Sequence, residues 1–193
     1  MRSVLKHHLA SIAIVLSVMT LSSGCSTTGT LAPDAAAERH SIHAGVDASL
    51  SKLYQQAPGS RELVGKAAGV LVFPSVVSAG LIVGASYGQG ELRSGTHVVG
   101  YYSTAAGSVG LLAGAESKSV FVLFMTQESY DKFVASRGWT AGVDASVTLL
   151  SVGADGSIDT RTALSAVDGL VLNNGGLMAN LSIDGTKFTR LEL

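Results

Sequence analysis

The order of hydrophobic and polar positions predicts that the domain opens with two helices. An apolar stripe flanked by polar residues runs through residues 36–54 and predicts an amphipathic helix. Its members recur at spacings of four, four and three: Ile42, Val46, Leu50 and Leu53. Ala57-Pro58-Gly59 would end this helix, and Ser60 is placed to cap a second helix over Arg61–Ala67.

Most of the chain after these helices has the pattern of β-strands. The continuous apolar runs Gly69–Phe73, which Pro74 would end, and Ser119–Met125 are typical of strands buried on both faces. The stretch Ala79–Gly90 is apolar but carries four glycines, which predicts bulges or bends in a curved sheet. Strands are also predicted over six further ranges: Thr96–Ser103, Ser108–Ala113, Asp144–Val152, Leu170–Leu172, Leu177–Ile183 and Lys187–Leu193.

One later segment, Gln127–Ser136, has a helical pattern, with Tyr130, Phe133 and Val134 on one face. Asp-Gly and Asn-Gly pairs between the last apolar runs predict hairpin turns. The predicted fold class is therefore α+β. We expect two N-terminal helices and one later helix packed on a strongly bent, mainly antiparallel, barrel-like sheet with glycine-rich strands.

The start of the chain has the features of a secretory signal that ends at a cysteine. Arg2 and Lys6 precede the apolar stretch Leu9–Leu21, which is followed by small residues and by Cys25. This arrangement resembles the signal of bacterial lipoproteins, in which cleavage before the cysteine leaves it to carry acyl chains such as palmitate. The apolar stretch is shorter than the roughly 20 residues of a membrane-spanning helix. With a single cysteine, the chain has no internal disulfide.

The lipoprotein resemblance divides the chain into a signal peptide over residues 1–24, a lipidated flexible tether over 25–35 and a domain over 36–193. Ser26 follows the cysteine, and in Gram-negative lipoproteins a non-acidic residue there implies the outer membrane. We therefore expect a lipid-anchored protein of the bacterial outer membrane. Its domain is expected to face the periplasm, with exposure at the cell surface left open.

The charge of the expected mature chain argues against nucleic acid as a partner. The whole chain has 13 Lys and Arg against 14 Asp and Glu, and two of the basic residues, Arg2 and Lys6, lie in the leader. The mature chain would keep 11 against 14, a formal charge of −3, whereas nucleic-acid binding needs a basic face. Only 14% of residues are charged and 23 are glycine, which favours a β structure built from small residues.

Five sets of residues, read in order, resemble one known domain family. They are Ala68–Pro74; Ala79–Gly84 with Gly88–Leu92; Gly107–Gly110 with Gly114; Gly142–Val147; and Gly176–Ser182. Together they resemble the SYLF domain, which is named for lipid binding and occurs in eukaryotic actin-patch regulators and in bacterial lipoproteins. The resemblance covers about residues 40–193. It implies lipid binding, with phosphoinositides as the eukaryotic ligands and an actin role in yeast-type members.

We therefore expect a membrane-anchored periplasmic lipoprotein whose SYLF-like domain binds lipid or another component of the cell envelope, with no cofactor and no enzyme activity. The alternative is a structural or protein-interaction lipoprotein with no lipid ligand beyond its anchor. Lys52, Arg61 and Lys66 in the opening helices are candidate contacts for anionic lipid, at about 1 kcal/mol per charge near an anionic surface. Ordinary solubilising charge is the simpler interpretation, because acidic residues lie nearby.

A short motif raises a remote alternative, a serine hydrolase. Gly84–Gly88 matches the G-x-S-x-G nucleophile elbow, with Ser86 as the nucleophile. The elbow requires a strand, a sharp turn and then a helix, and His97 is the only histidine downstream. A glycine-bent strand explains the same residues.

No metal site is predicted, since His43 and Asp47, four residues apart on the first helix, have no third strong ligand nearby in sequence.

Overall fold

The computed structural model describes residues 34–80, 83–109, 114–150, 158, 165–173, 176–177 and 183–193. The predicted signal peptide, Cys25 and most of the predicted tether lie outside these residues, as do the predicted turns at Asp155-Gly156 and Asn174-Gly175. The chain divides into two compact units, Met1–Asp34 and Ala35–Leu193. The second unit contains every element described below.

Three helices lie within the described residues: α1 (Ala35–Gln56), α2 (Ser60–Lys66) and α3 (Gln127–Ala135). α1 buries Ile42, Val46 and Leu53 of the predicted apolar stripe. Leu50, its fourth member, is half-buried. None of the helices in the described part of the chain is both long and apolar enough to span a membrane.

The caps of the two short helices differ from each other. Ser60, predicted to cap α2, is instead its first residue. Gly59 holds the cap position and has no side chain to accept a hydrogen bond. α3 has the expected kind of cap, because the Thr126 side chain accepts a hydrogen bond from the Ser129 amide at 3.2 Å.

Nine strands form one sheet within the described residues. They are β1 (Gly69–Gly80), β2 (Val83–Ser94), β3 (His97–Val109), β4 (Gly114–Phe124), β5 (Gly138–Thr140), β6 (Thr148–Leu149), β7 (Val167–Asn173), β8 (Gly176–Leu177) and β9 (Lys187–Leu191). Their order is β5-β9-β3-β2-β1-β4-β7-β6, and β8 pairs with β7. β6 and β7 are parallel, and the other neighbours are antiparallel. The sheet is strongly curled into a half-barrel with the helices packed on it, which confirms the predicted α+β class.

Pro74 does not end β1, contrary to the prediction. The strand continues to Gly80, and its pairing with both neighbours shifts register around the proline. A bulge tolerates a residue that has no N–H to donate, because the ladder is already interrupted there. A Cβ on Gly90, across from the bulge, would lie 2.0 Å from the carbonyl oxygen of Val72. The bulge lies in β1 opposite Gly90, and not within Ala79–Gly90 where the glycines predict it.

The predicted strand Ala79–Gly90 is two strands, so this prediction is wrong. Its first two residues end β1, and β2 begins at Val83 as the antiparallel partner. The glycine spacing predicts a bend within one strand. In the structure Gly80 and Gly84 instead face each other across the ladder. Likewise, one strand, β3, replaces two predicted strands. It contains all of the predicted strand Thr96–Ser103 except Thr96, and also the first two residues of the predicted strand Ser108–Ala113.

Hydrophobic side chains fill both faces of the sheet and form two cores. The helix face, under α1 and α2, is built from Ile42, Val46, Leu53, Leu63, Val70, Val72, Phe121, Leu123, Leu170 and Leu172. The aromatic face, under α3, contains Phe73, Tyr102, Phe124, Phe133, Trp139 and Phe188. The rings of Phe124 and Phe133 lie 4.7 Å apart, and those of Phe73 and Phe188 lie 5.3 Å apart. β1 and β4 are therefore buried on both faces along their inner parts, as their continuous apolar patterns predict.

Candidate functional site

An exposed apolar surface lies at one end of the sheet, where β1 and β3 finish and β2 and β4 start. It consists of alternate residues of the β1–β2 hairpin that point to the helix face: Val77, Ala79, Val83, Ala85 and Tyr87, together called the hairpin face. Val77 pairs with Tyr87, and Ala79 pairs with Ala85. The three larger side chains keep 49%, 70% and 53% exposure at Val77, Val83 and Tyr87. Large apolar side chains that adjoin one another and stay this exposed indicate a contact surface.

The rows of the hairpin face continue onto the neighbouring strands with small residues. Tyr87 pairs with Ala105 of β3, and Val77 pairs with Ser117 of β4. The next row adds Gly107 and Ala115 on either side. On these four strands, no described residue that points to the helix face between the level of Val77 and the strand ends carries a charge. Lys187 of β9, which pairs with Ala105, borders this surface on the same face. The surface is therefore an uncharged region of four strands with a shallow groove beside Tyr87.

The opposite side of the same strands is small and polar. Ser78 pairs with Ser86, whose hydroxyl donates a hydrogen bond to the carbonyl oxygen of Ala106 at 3.4 Å. Charged residues, Glu116 and Lys118 of β4, also belong to this side by their alternation with Ser117. The end of the sheet is thus amphipathic, apolar on the helix face and polar on the other.

Ser86 does not stand in a nucleophile elbow. It lies inside β2, which has one residue before the motif and six after it, and no helix follows the motif. His97 pairs with Ser94 at the far end of β2. The eight residues between Ser86 and Ser94 span about 27 Å of strand. The remote hydrolase alternative is therefore wrong for this pair of residues, and the glycine-bent strand accounts for the motif.

Helix α1 lies along β2 and stops short of the hairpin face. Three side-chain contacts join α1 to β2, and they occur in the same order along both elements. Gln89 donates to Glu38 at 2.5 Å, His43 contacts Glu91 at 3.2 Å, and Arg93 pairs with Asp47 at 2.7 Å. The nine residues of helix and the four of strand between the outer contacts each span about 14 Å, so the axes run side by side. α1 therefore begins near the level of Gln89, and the hairpin face continues beyond it.

The contacts between α1 and β2 surround a buried carboxylate that sequence reasoning missed. Glu91 is fully buried and contacts the Arg93 guanidinium and His43 Nδ1. Burial by itself would lower the pKa of Arg93, but hydrogen bonds to Asp47 and Glu91 outweigh it and raise that pKa. The signal was the alternation of Glu91 and Arg93 in an apolar strand, which places both charges on one face. His43 and Asp47, considered from the sequence only as possible metal ligands, hold α1 to the sheet through Glu91 and Arg93.

The candidate lipid contacts Lys52, Arg61 and Lys66 have three different partners. Lys52 donates to the carbonyl oxygen of Asn173 at 3.2 Å. The Arg61 guanidinium stacks over the Tyr54 ring at 4.3 Å. Lys66 pairs with Glu62 at 2.6 Å, and both side chains are mostly exposed. All three lie in the second half of α1 or in α2, away from the end where the hairpin face lies.

A second buried carboxylate lies in β7. Asp168 is fully buried and pairs with Leu123 of β4 and Thr148 of β6. It points to the helix face, as Leu170 two residues later does. Neither of its carboxylate oxygens has a hydrogen-bond partner among the described residues. Burial raises the pKa of Asp168 to about 6.

No group of three or more His, Cys, Asp or Glu side chains in the described ranges is arranged to hold a metal ion.

Comparison with known proteins gives one family. The family model described as "Ysc84: Las17-binding protein actin regulator" matches residues 105–192. These residues contain the end of β3, all of β4 and α3, and the C-terminal strands, whereas α1 and the hairpin face precede them. No curated protein matches the chain. This match confirms the predicted resemblance over residues 105–192, which are similar to the Ysc84 family of SYLF domains.

Proposed function

We propose that this protein is a lipoprotein of the bacterial outer membrane, held by acyl chains on Cys25, whose domain binds membrane lipid on the periplasmic side. The SYLF family is known for lipid binding and actin regulation, and it is not a known enzyme family. A protein in the periplasm meets no actin, so the lipid-binding half of this description is the one proposed here.

The observation that carries the proposal is the exposed apolar surface at one end of the sheet. Val77, Val83 and Tyr87 leave about half or more of their surface in water at 49%, 70% and 53% exposure. Exposed apolar side chains that cluster on one face are typical of surfaces that contact a membrane or a protein. The sequence-based prediction that Lys52, Arg61 and Lys66 contact anionic headgroups is the alternative to this surface, and a variant of the three residues tests it below.

Vesicle binding by the unacylated mature chain tests the proposal. Residues 26–193 should co-sediment with vesicles of phosphatidylethanolamine and phosphatidylglycerol, and mass spectrometry should detect phospholipid that co-purifies with the domain. If the chain stays in the supernatant at low and at high salt, the lipid-binding proposal fails. Capture of a single envelope protein in that case would favour the structural or protein-interaction lipoprotein.

The anchor needs a separate test. The mature N-terminal peptide should begin at Cys25 and carry the mass of added acyl chains, and the full-length protein should fractionate with the outer membrane. The Cys25→Ser variant should lose both properties while the domain stays folded. An uncleaved or unacylated N-terminus in the native protein would overturn the anchoring proposal without touching lipid binding by the domain.

A further inference from the structure

We infer that the hairpin face is a membrane-insertion surface, and that it enters the apolar layer of a lipid bilayer on the same end of the domain that carries the anchor. This inference rests on the proposed function. It names the part of the lipid that is contacted, the acyl region, and the residues that make the contact. Recognition of an anionic headgroup by Lys52, Arg61 and Lys66 would use a different surface.

The composition of the hairpin face suits hydrocarbon and disfavours a charged partner. Its members are valine, alanine and tyrosine, and no described residue on this side of the four strands between the level of Val77 and the strand ends is charged. Burial of such side chains is favourable in proportion to the apolar area removed from water. Tyr87 lies nearest the start of α1, where its ring is apolar and its hydroxyl is able to stay in the polar interface.

The polar side of the same strands gives the surface one orientation. Ser78 and Ser86 occupy the row directly behind the hairpin face, and Glu116 and Lys118 stand on β4 on that side. Charged residues on an exposed strand also discourage pairing with a strand of another molecule. Only the end of the sheet beyond α1 would therefore enter the membrane, with its helix face toward the lipid, and edge-to-edge association with a second copy is disfavoured.

The direction of α1 brings the start of the described domain to this surface. Contacts Glu38–Gln89 and Asp47–Arg93 show that α1 runs from the hairpin end toward the far end of β2. The remaining strand residues, from Tyr87 to Val83, extend about 14 Å past the start of α1. Whatever precedes Ala35 is therefore joined to the domain beside the hairpin face.

The chain length before α1 allows both attachments at once. Nine residues, and therefore ten Cα–Cα steps, lie between Cys25 and Ala35. They reach at most about 35 Å when extended, which exceeds the roughly 14 Å that the hairpin face extends beyond α1. An acylated Cys25 would hold the hairpin face at a high effective concentration near the bilayer, so weak insertion would suffice for a defined orientation. Lys52, toward the other end of α1, and Arg61 and Lys66, in α2, would then lie farther from the bilayer than the hairpin face does.

The test compares three variants of residues 26–193 with the parent chain on vesicles of phosphatidylethanolamine and phosphatidylglycerol in a 3:1 ratio. The hairpin variant carries Val77→Ser, Val83→Ser and Tyr87→Ser. The matched control is Val143→Ser, which removes a valine of 79% exposure outside the hairpin face. The cation variant carries Lys52→Gln, Arg61→Gln and Lys66→Gln. We expect the hairpin variant to bind more than about tenfold more weakly, because three partly exposed apolar side chains are lost. The control and the cation variant should bind as the parent does, with little effect of added salt.

A second readout does not depend on the hairpin variant being folded. Tyr87→Trp should give a tryptophan whose emission shifts to the blue on vesicle binding and is quenched by brominated acyl chains. Val143→Trp should show neither change. The native Trp139 is 4% exposed in the aromatic core and supplies a constant background.

The outcomes separate this inference from the proposed function. If the parent binds vesicles but the hairpin variant binds equally well, or the Tyr87→Trp signal is unchanged, the inference is overturned and lipid binding stands. A binding loss confined to the cation variant would overturn it in favour of headgroup recognition. A parent chain that binds no vesicles overturns both. A parent that is dimeric and a hairpin variant that is monomeric would assign the surface to a second copy of the chain, and this too would overturn the inference.

Discussion

Replacement of Asp168 by asparagine should stabilise the domain at neutral pH and have a much smaller effect at pH 4. Asp168 is fully buried beside Leu123, and its carboxylate has no hydrogen-bond partner among the described residues. Burial raises its pKa from 3.8 to about 6 because the charged form loses its hydration. Asparagine keeps the shape of the side chain and removes the charge.

The sign follows from proton binding. Between pH 4 and pH 6 the folded state keeps the Asp168 proton while the unfolded state releases it, so the free energy of unfolding falls as pH rises. The contribution of Asp168 is fully present below its unfolded pKa, is lost as pH rises through about 6, and stays lost above that value. A shift of about two pKa units corresponds to about 3 kcal/mol between these limits.

Urea unfolding of the parent and Asp168→Asn chains at pH 4, 5, 6, 7 and 8 measures this effect. The fluorescence of Trp139, the single tryptophan, reports the loss of the aromatic core. The buried amide has its own cost, about 1–3 kcal/mol, but that cost is independent of pH. The difference between the two free energies of unfolding should therefore grow by about 3 kcal/mol from pH 4 to pH 7 in favour of asparagine. Other carboxylates titrate in both chains and cancel. A difference that is the same at every pH would show that Asp168 has an ordinary pKa and would refute the reasoning.

Two further substitutions test contacts that position α1 and the sheet. Arg93→Ala should lower the free energy of unfolding by about 3–5 kcal/mol, because it leaves Glu91 buried beside only a histidine. The double variant with Glu91→Gln should recover much of the loss. No recovery in the double variant would contradict the charge argument. Gly90→Ala should destabilise by more than about 2 kcal/mol, because its Cβ would meet the Val72 carbonyl at 2.0 Å, whereas Gly107→Ala meets nothing within 4 Å and should be nearly neutral. Both comparisons are read by urea unfolding with Trp139 fluorescence, and equal effects of the two glycine changes would refute the bulge argument.

Patterns that depend on the core were predictable from the sequence, and patterns at the exposed end were not. The stripe of α1, the strands buried on both faces and the α3 helix all follow from a buried apolar period, which fixes which side each residue occupies. The reversal between Gly80 and Val83 lies where small apolar residues stand on both sides of the turn. No polar turn residue marks it, so the sequence favoured one long strand over a hairpin.

The same missing signal is the reason the hairpin face escaped notice. A turn in water is normally marked by residues such as Asn, Asp or Gly-Asp pairs, whose side chains are hydrated. The β1–β2 connection is Leu81-Ile82, and the β3–β4 connection, Gly110–Ala113, is also uncharged. Apolar residues between antiparallel strands, where hydrated residues are usual, agree with the proposed membrane contact. The same apolar residues explain why the strand prediction at Ala79–Gly90 failed.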